Sequence, residues 1–139
     1  MCKIFGMINN PVLKWTMTIV GVILVMMAMF WAETMHRAWR DFKEAKKSER
    51  AGDMPMAILW YGTVISFYTP WSPWVNKSIE RLFAIGKASE AKGDYKLAKD
   101  AYDEIVHRIY SVRSFYTPHK DKQTKAKELS EKVKQKIKI

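Results

Sequence analysis

The feature that most constrains this chain is an uncharged apolar run, residues 15–32, which reads WTMTIVGVILVMMAMFWA. A helix of that length rises roughly 27 Å at about 1.5 Å per residue, close to the thickness of a bilayer's hydrocarbon core. Trp15 and Trp31 stand at its two ends, where indole rings favour the membrane interface. The run is apolar on every face, so lipid can surround it. We predict a transmembrane helix over residues 12–33, preceded by a short tail of residues 1–11.

A cleaved signal peptide and a buried core helix are the two alternatives to a membrane anchor. A signal peptide has a shorter apolar stretch and a cleavage site of small residues, whereas this run ends in the bulky Phe30 and Trp31. A core helix would be shorter and flanked by more core sequence. An uncleaved anchor therefore fits the sequence best.

Basic residues are unevenly distributed around the apolar run. Lys3 and Lys14 precede it, and a larger group follows closely, namely Arg37, Arg40, Lys43, Lys46 and Lys47. Because basic flanks stay on the cytoplasmic side, the larger part of the chain is predicted to lie on the cytoplasmic side of the membrane. Cations beside a membrane also attract anionic lipids, and we predict headgroup contacts for Lys14, Arg37, Arg40 and Lys43. The alternative for this basic face is a groove that binds an acidic segment of a partner.

Helix signals alternate with stop signals after the apolar run. Glycine or proline punctuates the sequence at Gly52, at Thr69-Pro70, at Ser72-Pro73, at Gly93 and at Thr117-Pro118. Between these points apolar residues recur at helical spacing, and no stretch alternates with the period of a strand. The sequence therefore predicts an all-α protein, with one transmembrane helix followed by about five helices.

The helical part contains an internal repeat. Gly52-Asp53, Ala57 and Tyr61 recur 41 residues later as Gly93-Asp94, Ala98 and Tyr102, and Ser-Phe-Tyr-Thr-Pro at residues 66–70 recurs intact at residues 114–118. Repeated hairpins with an apolar face that neither can bury alone are expected to stack and bury it mutually. The repeat therefore predicts two stacked helical hairpins.

These residues resemble the tetratricopeptide family. The resemblance rests on Ala51-Gly52-Asp53 with Ala57 and Tyr61, on their copies, and on the closing prolines Pro70 and Pro118. It implies two hairpins over residues 34–117 and a basic C-terminal helix over residues 118–139 that caps them, although a helix binding a lipid surface or a partner remains the alternative for that segment. The layout is also similar to small bacterial membrane-anchored repeat proteins with a Phe-Tyr-Thr-Pro motif. That similarity implies a location in a bacterial inner membrane and an integral membrane partner of the ExbB/TolQ proton-channel type.

Aromatic residues cluster around the first proline-rich turn. One interpretation is that these aromatics fill the seam between hairpins, and the other is that they form a pre-organised docking surface, since Trp and Tyr dominate binding hot spots. Both can hold at once. The predicted partner-binding residues are Trp39, Phe42, Tyr68, Trp71, Trp74 and Tyr116.

Sequence signals for chemistry are missing. The three histidines lack zinc-ligand spacing, and we find no phosphate-binding loop, nucleophile elbow or nucleic-acid module. Cys2 is the single cysteine, so no internal disulfide can form. We therefore predict a protein without catalytic residues, metal, cofactor, small-molecule substrate or nucleic-acid partner. The net charge of +10 favours acidic partners and anionic lipids. The predicted function is a membrane-anchored adaptor or accessory subunit, and the alternative is a receptor that captures amphipathic peptide segments at the membrane surface.

Overall fold

The computed structural model describes residues 10–69, 72–113 and 117–139 of the chain. These ranges contain five helices and no strand, so the predicted all-α class is confirmed. The helices are α1 (Pro11–Arg50), α2 (Met54–Ser66), α3 (Pro73–Ala91), α4 (Tyr95–Ser111) and α5 (Lys120–Ile137). The predicted anchor and the helix after it are continuous in α1, because no glycine or proline interrupts the sequence between them. The described residues therefore form five helices, whereas the sequence predicted a transmembrane helix followed by about five more.

The chain divides into two compact units, Met1–Thr34 and Met35–Ile139. In the described part of the first unit, the large apolar side chains from Val12 to Trp31 are between 47% and 75% exposed, except that of the half-buried Leu13. Among the described residues, α1 alone is long and apolar enough to cross a membrane, as judged by length and composition.

The second unit has its own apolar core. Each of its helices contributes one buried face, and the buried side chains include Ala38, Phe42, Ile58, Tyr61, Ile65, Ile79, Leu82, Tyr102, Ile105 and Val133. A fully buried aliphatic or aromatic side chain of this kind stabilises a fold by about 1.5–3 kcal/mol. Burial of these faces accounts for the packing of α2 to α5.

Two tight turns connect the helices of this unit, and they have the same geometry. Gly52 and Gly93 adopt positive φ angles of 81° and 78°, which glycine reaches without a Cβ clash. The next residue caps the following helix: an Asp53 side-chain oxygen accepts from the Met56 N–H at 3.2 Å, and Asp94 accepts from the Leu97 N–H at 3.1 Å. We call α2 with the part of α1 after Thr34 hairpin 1, and α3 with α4 hairpin 2.

The two hairpins also share a part-buried hydrogen bond at the same offset of 41 residues. The Tyr61 hydroxyl donates to Glu49 at 2.7 Å, and the Tyr102 hydroxyl donates to Glu90 at 2.7 Å. Each carboxylate is also paired with a cation from the next helix along the fold: Arg81 of α3 pairs with Glu49, and Lys136 of α5 pairs with Glu90 at 3.3 Å. The repeat therefore extends from sequence to hydrogen bonding.

The starts of α3 and α5 differ from the predicted cap-then-proline pattern. Ser72 occupies the cap position of α3 and Pro73 its first turn, yet the buried Ser72 hydroxyl makes no capping hydrogen bond. Helix α5 begins only at Lys120, after His119 in a left-handed conformation, so Thr117-Pro118 does not cap it directly. Within the two Ser-Phe-Tyr-Thr-Pro copies, Pro70 and residues 114–116 lie outside the described residues.

Candidate partner-binding surface

An open groove lies between the end of α1 and α3 in the second unit. Its first part is a cavity of about 660 Å³ lined by Phe42, Lys46, Glu49, Arg50, Met54, Trp74, Lys77, Glu80 and Arg81. A second cavity of about 560 Å³ shares Glu49, Met54 and Arg81 with the first and continues toward the Gly52 turn. We call the two cavities together the α1–α3 groove.

Aromatic rings form the floor of the first cavity. Phe42 is only 7% exposed, and its ring centroid lies 5.6 Å from that of Tyr61 and 5.3 Å from that of Trp74. Trp74 is half-buried, so one side of its indole packs on Phe42 while the rest faces the cavity. Aromatic pairs at these distances contribute about 0.5–1.5 kcal/mol beyond the area they bury. The floor is therefore both rigid and apolar.

Cations from both walls lie over or beside this floor. The Lys46 ammonium is 5.8 Å from the centre of the Phe42 ring, and the Lys77 ammonium is 4.9 Å from that of Trp74. Arg50 lines the same cavity. Across residues 10–69, 72–113 and 117–139, no carboxylate lies within ion-pair distance of Lys46, Arg50 or Lys77. The first cavity therefore has three cations that a bound group could neutralise.

The fourth cation of the first cavity, Arg81, already has an ion-pair partner. Arg81 pairs with Glu49, which also accepts the hydroxyl hydrogen of the buried Tyr61. Burial first and the Glu49 carboxylate second raise the pKa of Tyr61 above its ordinary value, and the hydrogen bond to Glu49 raises the pKa of Arg81. Tyr61 and Arg81 thus keep their protons at neutral pH. This network fixes the wall of the groove where hairpin 1 meets α3.

The structure brings together two of the six aromatic residues predicted to bind partners. Phe42 and Trp74 meet in the groove, whereas Trp39 is 39% exposed elsewhere on α1, with Lys43 over its ring at 4.5 Å and His36 beside it. Tyr68 is half-buried and makes an edge-to-face contact with His119 at 6.0 Å. Trp71 and Tyr116 lie outside the described residues.

The four predicted headgroup residues, Lys14, Arg37, Arg40 and Lys43, are all exposed. Arg40 donates from Nε to the neighbouring Asp41 at 3.3 Å, and Lys43 stacks on Trp39. None of the four lines either cavity of the α1–α3 groove.

The cationic residues of the groove were not predicted from the sequence as a site. Lys46 and Arg50 follow Phe42 at helical spacing, and Lys77 and Arg81 follow Trp74 in the same way. Residues three or four apart share a helix face, so an aromatic followed by two cations on each of two neighbouring helices was the signal that could have found them.

Comparison of the chain with protein-family models, with curated proteins and with solved structures finds no match. The tetratricopeptide resemblance therefore remains a prediction from the residues themselves. Among the residues that the structure describes, no group of three His, Cys, Asp or Glu side chains is placed to bind a metal ion.

Proposed function

We propose that this protein is a non-enzymatic, membrane-anchored adaptor or accessory subunit. The apolar part of α1 serves as the anchor, and the Met35–Ile139 unit binds partner proteins through the α1–α3 groove. The exposure of nearly every large apolar side chain between residues 12 and 31 supports the anchor, because water would disfavour such a surface.

One observation carries the binding role: a rigid aromatic floor and cations without ion-pair partners line the same open cavity. Protein-binding hot spots combine buried aromatic rings with cationic side chains at the edge of a desolvated pocket. A cavity of about 660 Å³ is large enough to take several side chains of a partner segment.

The anchor in this proposal lies in a bacterial inner membrane, as the similarity to small bacterial membrane-anchored repeat proteins implies. The Met35–Ile139 unit lies on the cytoplasmic side, because basic residues follow residue 32. The partner in this proposal is an integral membrane protein, for which ExbB/TolQ-type proton-channel proteins are the first candidates to test. A receptor for amphipathic peptides is the second candidate, because an apolar floor with charged edges also suits a segment with one apolar face.

Alkaline carbonate extraction of membranes tests the anchor. We expect the full chain to remain in the membrane pellet, and we expect an Ile23→Lys variant to be partly released, since a lysine at the centre of a span costs about 3 kcal/mol. Complete release of the unmodified chain by carbonate would overturn the proposed anchor.

Co-purification in mild detergent tests the binding role. The Trp74→Ala variant should recover less partner than the unmodified chain, because it removes half of the aromatic floor. Tyr110→Ala is the matched control, since Tyr110 is exposed on α4 and lies outside the groove. Circular dichroism should find equal helical content in both variants. Equal partner recovery from the two variants would argue against the groove as the binding site.

A further inference from the structure

We infer that the α1–α3 groove selects an acidic segment of its protein partner, with an apolar side chain between carboxylates. This inference rests on the proposed function and names the chemistry of the partner. The apolar side chain would lie against Phe42 and Trp74, while the carboxylates would pair with Lys46 and Arg50 on one wall and with Lys77 on the other.

Charge complementarity favours an acidic occupant. Four cations and two carboxylates line the first cavity. Arg81 and Glu49 neutralise each other, so Lys46, Arg50 and Lys77 face the single remaining carboxylate, Glu80. Positive potential in a cleft with apolar walls attracts anionic groups and disfavours cationic ones.

The positions of the two lysines support the same occupant. Lys46 and Lys77 are held over aromatic rings on opposite sides of the floor. A cation–π contact leaves the other N–H groups of an ammonium free to donate to a carboxylate. A carboxylate can therefore bind at either edge without displacing the ring contact, and an apolar side chain between two carboxylates would cover the floor.

A second copy of this chain fits the groove poorly. Each copy carries a net charge of +10, so two copies repel one another at long range. A partner segment rich in Asp or Glu has the opposite charge.

Fluorescence anisotropy with the full chain in phosphatidylcholine nanodiscs tests the inference. The probe is the labelled peptide acetyl-Glu-Glu-Leu-Phe-Glu-Glu-amide, and its charge-reversed twin has lysine in place of each glutamate. We expect the acidic peptide to bind, its affinity to fall as salt rises, and the basic twin not to bind. Lys77→Glu should weaken acidic-peptide binding about tenfold. Lys127→Glu, on an exposed lysine of α5 outside the groove, should leave it unchanged.

The repeat provides a second, opposite test. Glu49→Gln removes the carboxylate that neutralises Arg81 and should tighten acidic-peptide binding about threefold. Glu90→Gln makes the same change in hairpin 2, where Lys136 is the paired cation and the α1–α3 groove is untouched. Glu90→Gln should leave the affinity for the acidic peptide unchanged. Both variants retain a side-chain oxygen that can accept the tyrosine hydroxyl hydrogen, so they differ only in the groove.

Failure of this inference can be told from failure of the proposed function. Equal binding of the two peptides, or equal effects of Lys77→Glu and Lys127→Glu, overturns the acidic preference; if Trp74→Ala still loses the native partner, the binding role itself stands. Binding of glycerol phosphate in place of the peptide would identify a lipid headgroup as the occupant and overturn the inference. Chemical cross-linking of the full chain is the last check. A cross-linked dimer that the Lys77→Glu variant no longer forms would identify a second copy as the occupant and would also overturn the inference.

Discussion

Hairpin 1 and hairpin 2 are two versions of one structure, and they agree in their polar groups more than in their surfaces. Both have a glycine at positive φ, an aspartate cap and a tyrosine hydroxyl bonded to a glutamate. Their aromatic contacts correspond as well, since Phe42 lies 5.6 Å from Tyr61 and Phe83 lies 6.2 Å from Tyr102. The glycines and aspartates form the tight turns, and the part-buried tyrosine hydroxyls need a hydrogen-bond acceptor. These local requirements explain why these groups are the ones shared.

The outer faces of the two hairpins differ most. Helix α2 carries no charged side chain, and Leu59 on it is 49% exposed, whereas Asp100 is the exposed residue at the corresponding position of α4. Exposed positions are under weak packing constraints, so their chemistry can follow the surroundings of each hairpin. Helix α2 of hairpin 1 therefore has a more apolar exposed face than α4, its counterpart in hairpin 2.

The largest change in the free energy of unfolding is expected at a position where the two hairpins differ in side-chain volume. Gly86 corresponds to Ala45, and a Cβ at Gly86 would lie 2.5 Å from Cε1 of the buried Tyr102 ring. Gly86→Ala should lower the free energy of unfolding by about 3 kcal/mol, because the ring has no space to move into. The reverse change, Ala45→Gly, should cost only about 1 kcal/mol through helix propensity. Thermal unfolding of the full chain in detergent, followed by circular dichroism, measures both. Equal losses would mean that the two tyrosine environments are interchangeable.

The shared tyrosine–glutamate bonds should give a smaller and equal effect. Tyr61→Phe and Tyr102→Phe should each lower the free energy of unfolding by about 2 kcal/mol, since each removes a hydrogen bond to a charged acceptor. Denaturant titration of the two variants measures this, with Tyr110→Phe as the exposed control. A loss confined to one hairpin would break the correspondence between them.

The same bonds predict the behaviour at alkaline pH. Burial first, and the glutamate second, raise the pKa of both tyrosines. A phenol that binds its proton more tightly in the folded state gives stability that is complete below the ordinary pKa of about 10 and lost as pH rises through the folded value. Stability should therefore fall above about pH 10, and the Tyr61→Phe/Tyr102→Phe variant should fall less steeply. An equal slope in both proteins would contradict this assignment.

The smallest effect is expected where hairpin 1 buries a charge. Asp41 is 3% exposed and corresponds to the fully buried Leu82 of hairpin 2. Asp41→Leu should raise the free energy of unfolding by about 1 kcal/mol, because an apolar side chain has no desolvation cost there. Asp100→Leu, on the exposed face of α4, is the control and should change stability by less than about 0.5 kcal/mol. Destabilisation by Asp41→Leu would show that hairpin 1 requires the carboxylate.

The sequence predicted the helices and their turns because glycine, proline and capping residues act locally. Helices α1, α2 and α3 end two or three residues before Gly52, Thr69-Pro70 and Gly93. The pairing of Glu49 with Tyr61 and Arg81 was not predicted. Glu49 is one of several charged residues in its helix, and the neighbouring sequence does not indicate which of them contacts another helix. The groove was missed for the same reason, since its floor and walls come from separate helices. The partner-binding and headgroup assignments remain predictions.

The ion pair between each hairpin and the helix after it has a consequence for protein engineering. Lys136 of α5 does for Glu90 what Arg81 of α3 does for Glu49, so α5 stacks on hairpin 2 much as α3 stacks on hairpin 1. Each hairpin thus carries, near the end of its first helix, a carboxylate that pairs with a cation of the helix following the hairpin. A duplicated hairpin inserted ahead of α5 should therefore stack on hairpin 2 and present its own glutamate to Lys136, which would give a longer scaffold for engineering peptide binding.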